Sequence, residues 1–333
     1  MATETDPKNS QLNAKLDDMA VKTTFLDEEF VKILANYDLG SLQTSEPISK
    51  GTVQTNFVLH TTKGRLIFRY YENRTKESVL FECSLIKYLK THNYPCPDVF
   101  SDNQGEFVGE YKSKPYVIFE FVEGSHLENP NENQKDQLIE KVAEIHNLTK
   151  DYTPVNKQFR WNYNIELCRE LAKKEAAKIN TSDSKLKLAW FESELGRLEF
   201  PESLPKGICH CDFHFSNVLF KDGKFVALID FDDANYTYLL FDLVGLIESE
   251  AWIRDKDKEL NFTLAEKVVL EYTKYRQLRD VEQKHLFDVY KLSILFDCVW
   301  YFGRGSATDF FEKTKIDFLN EVGAEEFYRK LFG

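Results

Sequence analysis

Apolar positions recur along this chain with two different periods, and the change from one to the other divides it. Residues 1–22 offer no apolar face and read as a flexible, solvated tail. A helix is predicted after Thr24, where Phe25, Phe30, Ile33 and Leu34 fall at helical intervals. Beyond Leu39-Gly40 the period shortens: SEPISKGTVQTNFVLHTTKGRLIFRYYE reads as three strands punctuated by Lys50-Gly51 and Lys63-Gly64. Helical spacing returns in KESVLFECSLIKYLKTHNY through Val79, Leu80, Cys83, Ile86 and Leu89, and Pro95 and Pro97 stop it. Two strands follow, FVGEY and PYVIFEFV, before Glu123-Gly124. From Asn131 the pattern is helical, interrupted by one β segment at Ile208–Phe231.

A β-rich first half with one helix, then a helical second half, predicts an α+β fold in two lobes. The expected boundaries are a tail over 1–22, an N-lobe over 23–122 and a C-lobe over 123–333. No repeat or low-complexity tract is evident, and 27 Phe with 16 Tyr argue against disorder.

The formal net charge of −12 repels phosphate backbones and anionic lipid, so neither nucleic acid nor a membrane surface is an expected partner. An anionic nucleotide must then be held by a few local cations, backbone N–H groups and a metal. The opening residues form no charged, apolar leader, and the most apolar run, around Tyr238–Ile247, is too short to span a bilayer. A cytoplasmic location is expected. The six cysteines are scattered through strand and helix patterns and read as reduced core thiols.

The chemistry lies in GICHCDFHFSNVLFKDGKFVALIDF, residues 207–231. It holds His210-x-Asp212, then Asn217, then Asp230-Phe231 after an apolar strand. Asp222-Gly223 reads as a two-residue hairpin turn. With that turn, Leu219 lies opposite Val226 and Asn217 opposite Leu228. Alternation then puts Asp230 on the face of Asn217, where amide and carboxylate oxygens suit Mg²⁺. Asp212, just before the hairpin, is positioned to accept a proton from an attacking hydroxyl, and His210 buttresses its loop. The order and spacing are those of the catalytic Asp, metal-binding Asn and metal-binding Asp of phosphoryl transfer. Cys209 and Cys211 flank His210, yet no second cysteine or histidine pair lies nearby to complete a zinc site.

HCDFHFSNVLFKDGKFVALIDFDDA resembles the core of the aminoglycoside phosphotransferase/choline kinase-like superfamily of small-molecule kinases. It departs from protein kinases in lacking Arg after His210 and Gly after Phe231. The resemblance runs from about Ile48 to Glu248 and implies a two-lobed, protein-kinase-like α+β fold. It implies an ATP-dependent, magnesium-dependent kinase that phosphorylates a small-molecule alcohol, with Asp212 as base and Asn217 and Asp230 as metal ligands. Asp242 matches the family's second Asp, which braces the catalytic loop. Gly51 and Thr52 match the reduced phosphate loop, Arg69 the phosphate-contacting cation and Glu82 its ion-pair partner. Glu120 and Val122 match the interlobe hinge that meets adenine.

Within the superfamily, Ala35–Gly40, Gly51-x-x-x-Thr55-Asn56-Phe57 and the acidic Asp230–Asp242 stretch resemble the bacterial homoserine kinases of this fold. Asp232, Asp233, Glu248 and Asp297 are the expected counter-charges for an amine-bearing acceptor. Asp232 and Asp233 read equally well as caps of the following turn. Aminoglycoside kinases, choline or ethanolamine kinases and a nucleotide-binding pseudokinase scaffold stay open as alternatives. His146, beside Val142 and Ile145, reads as a packing histidine.

Overall fold

A computed structural model of the protein describes residues 22–49, 53–252 and 259–333. The expected tail, but for Lys22, and the expected phosphate-loop residues Gly51 and Thr52 lie outside the described residues. In chain order the elements begin with α1 (Asp27–Leu34), β1 (Leu42–Pro47), β2 (Thr55–Thr61), β3 (Gly64–Tyr70), α2 (Lys76–Thr91), β4 (Val99–Phe100), β5 (Gly109–Tyr111) and β6 (Lys114–Glu120). There follow α3 (Glu132–Leu148), α4 (Ile165–Ile179), α5 (Ser182–Leu195), β7 (Lys206–Cys209), β8 (Val218–Lys221), β9 (Lys224–Leu228) and β10 (Asn235–Tyr238). Four helices close the chain: α6 (Leu240–Ala251), α7 (Phe262–Thr273), α8 (Asp280–Trp300) and α9 (Phe311–Phe332).

The fold is α+β, and its two compact units are each discontinuous in sequence. The first takes Met1–Glu128, Thr153–Arg160 and Phe215–Asp232; the second takes Asn129–Tyr152, Trp161–His214 and Asp233–Gly333. A single cut in the chain does not generate them.

In the first unit, antiparallel strands run in the order β1-β2-β3-β6-β4, with β5 on β6. Alternation on β3 turns Leu66, Phe68 and Tyr70 into the core and leaves Arg65, Ile67 and Arg69 on the opposite face. The core side packs against α1 through a cluster that includes Phe25, Phe30, Phe57, Phe68 and Tyr116. Phe30 meets Phe57 edge-on at 5.0 Å and Phe68 at 5.1 Å, the geometry ring quadrupoles favour. Phe25 precedes α1 and still belongs to this cluster. On α2, Thr75 caps the first turn through Ser78 N, and Val79, Phe81, Leu85, Ile86 and Leu89 are buried.

The β8–β9 hairpin also belongs to this unit. Its turn residues Asp222 and Gly223 have φ of 51° and 74°, both in the left-handed region that a tight primed turn demands. The register departs from the one expected. Phe220 pairs with Phe225 and Leu219 with Ala227, so Val226 is the extra residue of a β-bulge. Val218, rather than Asn217, therefore stands opposite Leu228. A bulge inverts the parity of every residue beyond it, and the shared-face argument for Asn217 and Asp230 fails.

The second unit is helical apart from the two-stranded pair β7–β10, whose second strand was not expected from the sequence. Helix α6 is buried along most of its length through Leu240, Phe241, Leu243, Val244, Leu246 and Ile247. Among the described residues no helix is long and apolar enough to cross a membrane. All six cysteines are free thiols, and every one but Cys211 is buried.

Candidate active site

The bulge sets where the first unit presents its oxygen donors. Strand β9 ends at Leu228, and Ile229 N donates to Asn217 O at 2.9 Å, so Asn217 and Asp230 meet at the open end of one hairpin. Asp230 then turns into the left-handed region at φ 66°. That conformation is uncommon for a residue with a Cβ, best tolerated by Asn and Asp, and concentrated at functional sites. Asn217 is buried; the Asp230 side chain keeps 38% of its surface exposed.

Arg69 reaches this hairpin end from β3. Its Nη1 lies 2.8 Å from Asp230 Oδ1 and 3.7 Å from Glu82, and its Nε donates to Asn56 Oδ1 at 3.0 Å. Burial alone would lower the Arg69 pKa; Asp230, Tyr71 and Glu82 together raise it instead. Glu82 sits 1% exposed on α2 and accepts from the Tyr71 hydroxyl at 2.9 Å. Burial pushes its carboxyl up to about 7, against the pull of Arg69 and Arg160 and with the push of Asp232 and Asp230.

Asp232 occupies a different setting from the one expected of a substrate-binding carboxylate. It is buried, and Arg74 grips it bidentately, Nε to Oδ1 at 2.7 Å and Nη2 to Oδ2 at 3.1 Å. Gln54 Nε2 donates to Oδ2 at 2.9 Å. Burial would raise this carboxyl, but Arg74, with Arg160 and Arg69 behind it, holds it well below the usual carboxylate range. A carboxylate so engaged has no charge left for an acceptor amine. Arg160 bonds Ser78 Oγ at 2.9 Å and the carbonyls of Phe231 and Asp232, fixing the turn after Asp230. Three guanidiniums thus face three carboxylates, and neither Arg74 nor Arg160 carried a sequence signal.

Glu120, the expected hinge residue, ends β6. Its carboxylate accepts Asp98 N at 3.0 Å and Lys90 Nζ at 3.3 Å. Val122 follows it, half-buried.

In the second unit the loop after β7 carries Asp212. Cys211 adopts φ 62°, which ends the strand and turns the chain just before Asp212. Asp242, two residues into α6, holds that turn: Oδ2 accepts His210 N at 2.9 Å and Oδ1 accepts Cys211 N at 2.8 Å. The His210 ring is fully buried against Phe213, 4.7 Å away. The Asp212 side chain keeps 41% of its surface exposed and lies 3.3 Å from His214 Nε2.

A bracing network stands behind Asp242 that the sequence did not reveal. His146 Nε2 lies 3.0 Å from Asp242 Oδ2, and its Nδ1 lies 2.7 Å from the Tyr272 hydroxyl. A carboxylate accepts, which puts the imidazole proton on Nε2 and leaves Nδ1 to accept from Tyr272. Arg276 Nη1 donates to Tyr272 at 3.1 Å, and its Nη2 to Glu282 at 2.7 Å. His146 is therefore a packing residue that also carries a hydrogen bond toward the catalytic loop. Ligand atoms of His146, Cys209 and Asp242 come within 4.8 Å of one another. The His146 and Asp242 atoms are already committed to the brace.

Of the other expected counter-charges, Glu248 and Asp297 both lie near Tyr290. Asp233 is half-buried and its carbonyl accepts Asn235 Nδ2 at 3.0 Å. Asp297 is exposed on α8. Glu248, on α6, forms an ion pair with Lys315 of α9.

Residues 44–278 match the phosphotransferase enzyme family. The homoserine kinase of Rhodospirillum rubrum is 30% identical over 305 residues, covering 91% of this chain and 89% of that protein. The homoserine kinase of Nitrobacter winogradskyi is 30% identical over 307 residues, covering 91% and 88%. Among solved structures, an amicoumacin kinase in complex with AMP-PNP and Ca²⁺ superposes with a TM-score of 0.64 at 17% identity, covering 92% of this chain and 94% of that one. A microcompartment-associated aminopropanol kinase superposes with a TM-score of 0.63 at 15% identity, covering 90% and 95%. With its fold and more than two thirds of its length in agreement, the chain belongs to the phosphotransferase enzyme family and is a small-molecule kinase of the aminoglycoside phosphotransferase-like superfamily.

Proposed function

We propose that the protein is a cytoplasmic homoserine kinase, transferring the γ-phosphoryl group of ATP to the side-chain hydroxyl of homoserine. The observation that carries this reading is the 30% identity to curated homoserine kinases across nine tenths of both chains. In phosphoryl transfer the protein's work is positioning and electrostatic stabilisation. Asp212 accepts the proton of the acceptor hydroxyl as that oxygen attacks. Arg69 offers the nucleotide phosphates a guanidinium, planar where the family norm allows a compact ammonium. Glu82 holds Arg69 from behind, Glu120 and Val122 offer backbone to adenine, and Gly51 and Thr52 supply N–H groups to phosphate.

Asn217 and Asp230 present an amide and a carboxylate oxygen at one hairpin end, hard donors that suit Mg²⁺. Bound there, the ion would neutralise phosphate charge. The Asp230–Arg69 contact is compatible with this role, because Arg69 can exchange its carboxylate for phosphate oxygen.

The reading is tested by ADP release from ATP with homoserine, choline, ethanolamine, kanamycin and a neutral sugar as acceptors, each with and without Mg²⁺. Homoserine is expected to give the highest kcat/KM, and only with the metal. Faster turnover of any other acceptor refutes it.

A further inference from the structure

Among α6, α8 and α9 of the second unit sit polar groups that the phosphoryl-transfer machinery does not use. The Glu248 and Lys315 side chains pair with each other while keeping 20% and 9% of their surfaces exposed. Behind them lie Tyr290 and Trp252, 0% and 3% exposed. The Tyr290 hydroxyl approaches the Glu248 carboxylate closely enough to interact with it, yet Glu248 Oε1, Tyr290 Oη and Trp252 Nε1 are all buried without a well-formed hydrogen bond. Lys315 Nζ stands 5.0 Å from the Trp252 ring centre. Burial pushes the Tyr290 phenol well up, so it remains a donor. Buried polar atoms without partners are rare in folded proteins. Here three of them adjoin one ion pair, and together the four side chains present one anion, one cation and two neutral N–H or O–H donors.

We propose that this cluster is the subsite for the α-amino-acid end of the acceptor, an inference that rests on the homoserine reading. The ammonium of the acceptor takes Glu248 Oε1, and its carboxylate takes Lys315 with the Tyr290 hydroxyl and Trp252 indole. The internal ion pair opens and each half exchanges its partner for the opposite charge on a zwitterion, so no charge is left uncompensated in a poorly hydrated site. A simple amine would leave Lys315 bare, and a simple acid would leave Glu248 bare. Glu248 is thus one half of a dipolar clamp rather than a lone counter-charge. Its place on α6 suits this. Six residues, about 9 Å of helix, separate it from Asp242, which holds the loop of Asp212.

The test compares homoserine with its decarboxylated and deaminated analogues, 3-aminopropan-1-ol and 4-hydroxybutyrate, in wild type, Lys315→Met and Glu248→Gln. Wild type is expected to prefer homoserine over each analogue by roughly 10²-fold or more in kcat/KM. Lys315→Met should lose most of its preference over 3-aminopropan-1-ol, and Glu248→Gln its preference over 4-hydroxybutyrate, chiefly through KM. Unchanged preferences in both variants overturn the subsite while leaving the homoserine reading intact. Calorimetric binding of the hydroxyl-free L-2-aminobutyrate, against propylamine and butyrate, provides a readout independent of turnover. If wild type does not phosphorylate homoserine, the acceptor reading falls alone. L-2-Aminobutyrate binding that both variants weaken at least tenfold then keeps the subsite, and its absence in wild type overturns it. Circular dichroism and thermal unfolding identify a variant that fails to fold; Glu248→Gln, being isosteric, then decides.

Discussion

Arg69 and Asp230 are joined by a 2.8 Å ion pair that links β3 to the end of the β8–β9 hairpin, and Asp230 is nearer to Arg69 than Glu82 is at 3.7 Å. The guanidinium is thus shared between two carboxylates with different fates. Glu82 is buried and fixed, while Asp230 is part-exposed and is the one proposed to receive a metal. A cation bound at Asp230 would free Arg69 for phosphate, with Glu82 still behind it.

Replacing Arg69 should therefore act on the nucleotide before the acceptor. Arg69→Met is expected to lower kcat/KM for ATP by about 10²-fold, the usual loss for one preorganised donor on a developing charge. Arg69→Lys should recover part of that loss. Steady-state kinetics with ATP and then acceptor varied separates the two; an effect confined to acceptor KM would remove Arg69 from the phosphate site.

Asp230→Asn should weaken Mg²⁺-dependent ATP binding more than Asn217→Ala does. The first change removes a charge beside the cation and the second only a dipole. Titration of ATP with and without Mg²⁺ against both proteins measures the difference. Equal or reversed losses contradict the assignment.

Asp212→Ala should leave ATP affinity close to that of the wild type while kcat falls by about 10²–10⁴-fold, the contribution typical of a positioned base. Near-full turnover would take Asp212 out of the mechanism.

Glu82 supplies a pH signature. Burial moves its carboxyl from the usual 4.5 to about 7. Between those values the folded protein keeps a proton that the unfolded chain has lost, so this group's contribution to stability declines as pH rises through the window. The depressed Asp232 carboxyl acts below that window, where stability is lost as pH falls. Glu82→Gln removes the first effect alone. Relative to wild type, the variant should gain roughly 1–3 kcal/mol in unfolding free energy between pH 5 and pH 7. Urea unfolding at both values measures this, and a pH-independent difference would refute it.

The N-terminal sheet, α2 and the β8–β9 hairpin were legible because each rests on local signals: period-two alternation, helical spacing, an Asp-Gly turn. The bulge at Val226 was not, since nothing in FVAL distinguishes a bulged strand from a regular one. What the structure shows there is a backbone bond from Ile229 N to Asn217 O and a left-handed turn at Asp230, neither of which strand alternation announces. Strand β10 went unseen because a four-residue strand inside a helical stretch has too few positions to show a period. Arg74, Arg160 and Lys315 were missed for a more general reason. An arginine or lysine in sequence is most often solvated, and only the fold shows which cations meet a buried carboxylate.

His146 is the sharpest case of such a miss, and it yields the last prediction. Its ring is fully buried, 3.0 Å from Asp242 on one side and 2.7 Å from the Tyr272 hydroxyl on the other. Asp242 in turn accepts the N–H groups of His210 and Cys211. Removing the imidazole leaves a buried carboxylate with only backbone partners, a loss of about 1.5–3 kcal/mol for a hydrogen bond to a charged group. His146→Leu, which keeps the apolar volume, should lower the melting temperature by roughly 3–12 °C at about 2–4 °C per kcal/mol for a chain somewhat larger than a single small domain. Tyr272→Phe removes the hydroxyl's hydrogen bonds with His146 and Arg276 and should cost about 1–3 kcal/mol. Because the network ends on the loop of Asp212, kcat should fall in both variants below the melting transition, and more in His146→Leu, with KM for ATP unchanged. Thermal unfolding paired with kinetics at a temperature where both variants are folded distinguishes the roles: lost stability with unaltered kcat would make His146 a packing residue and nothing more.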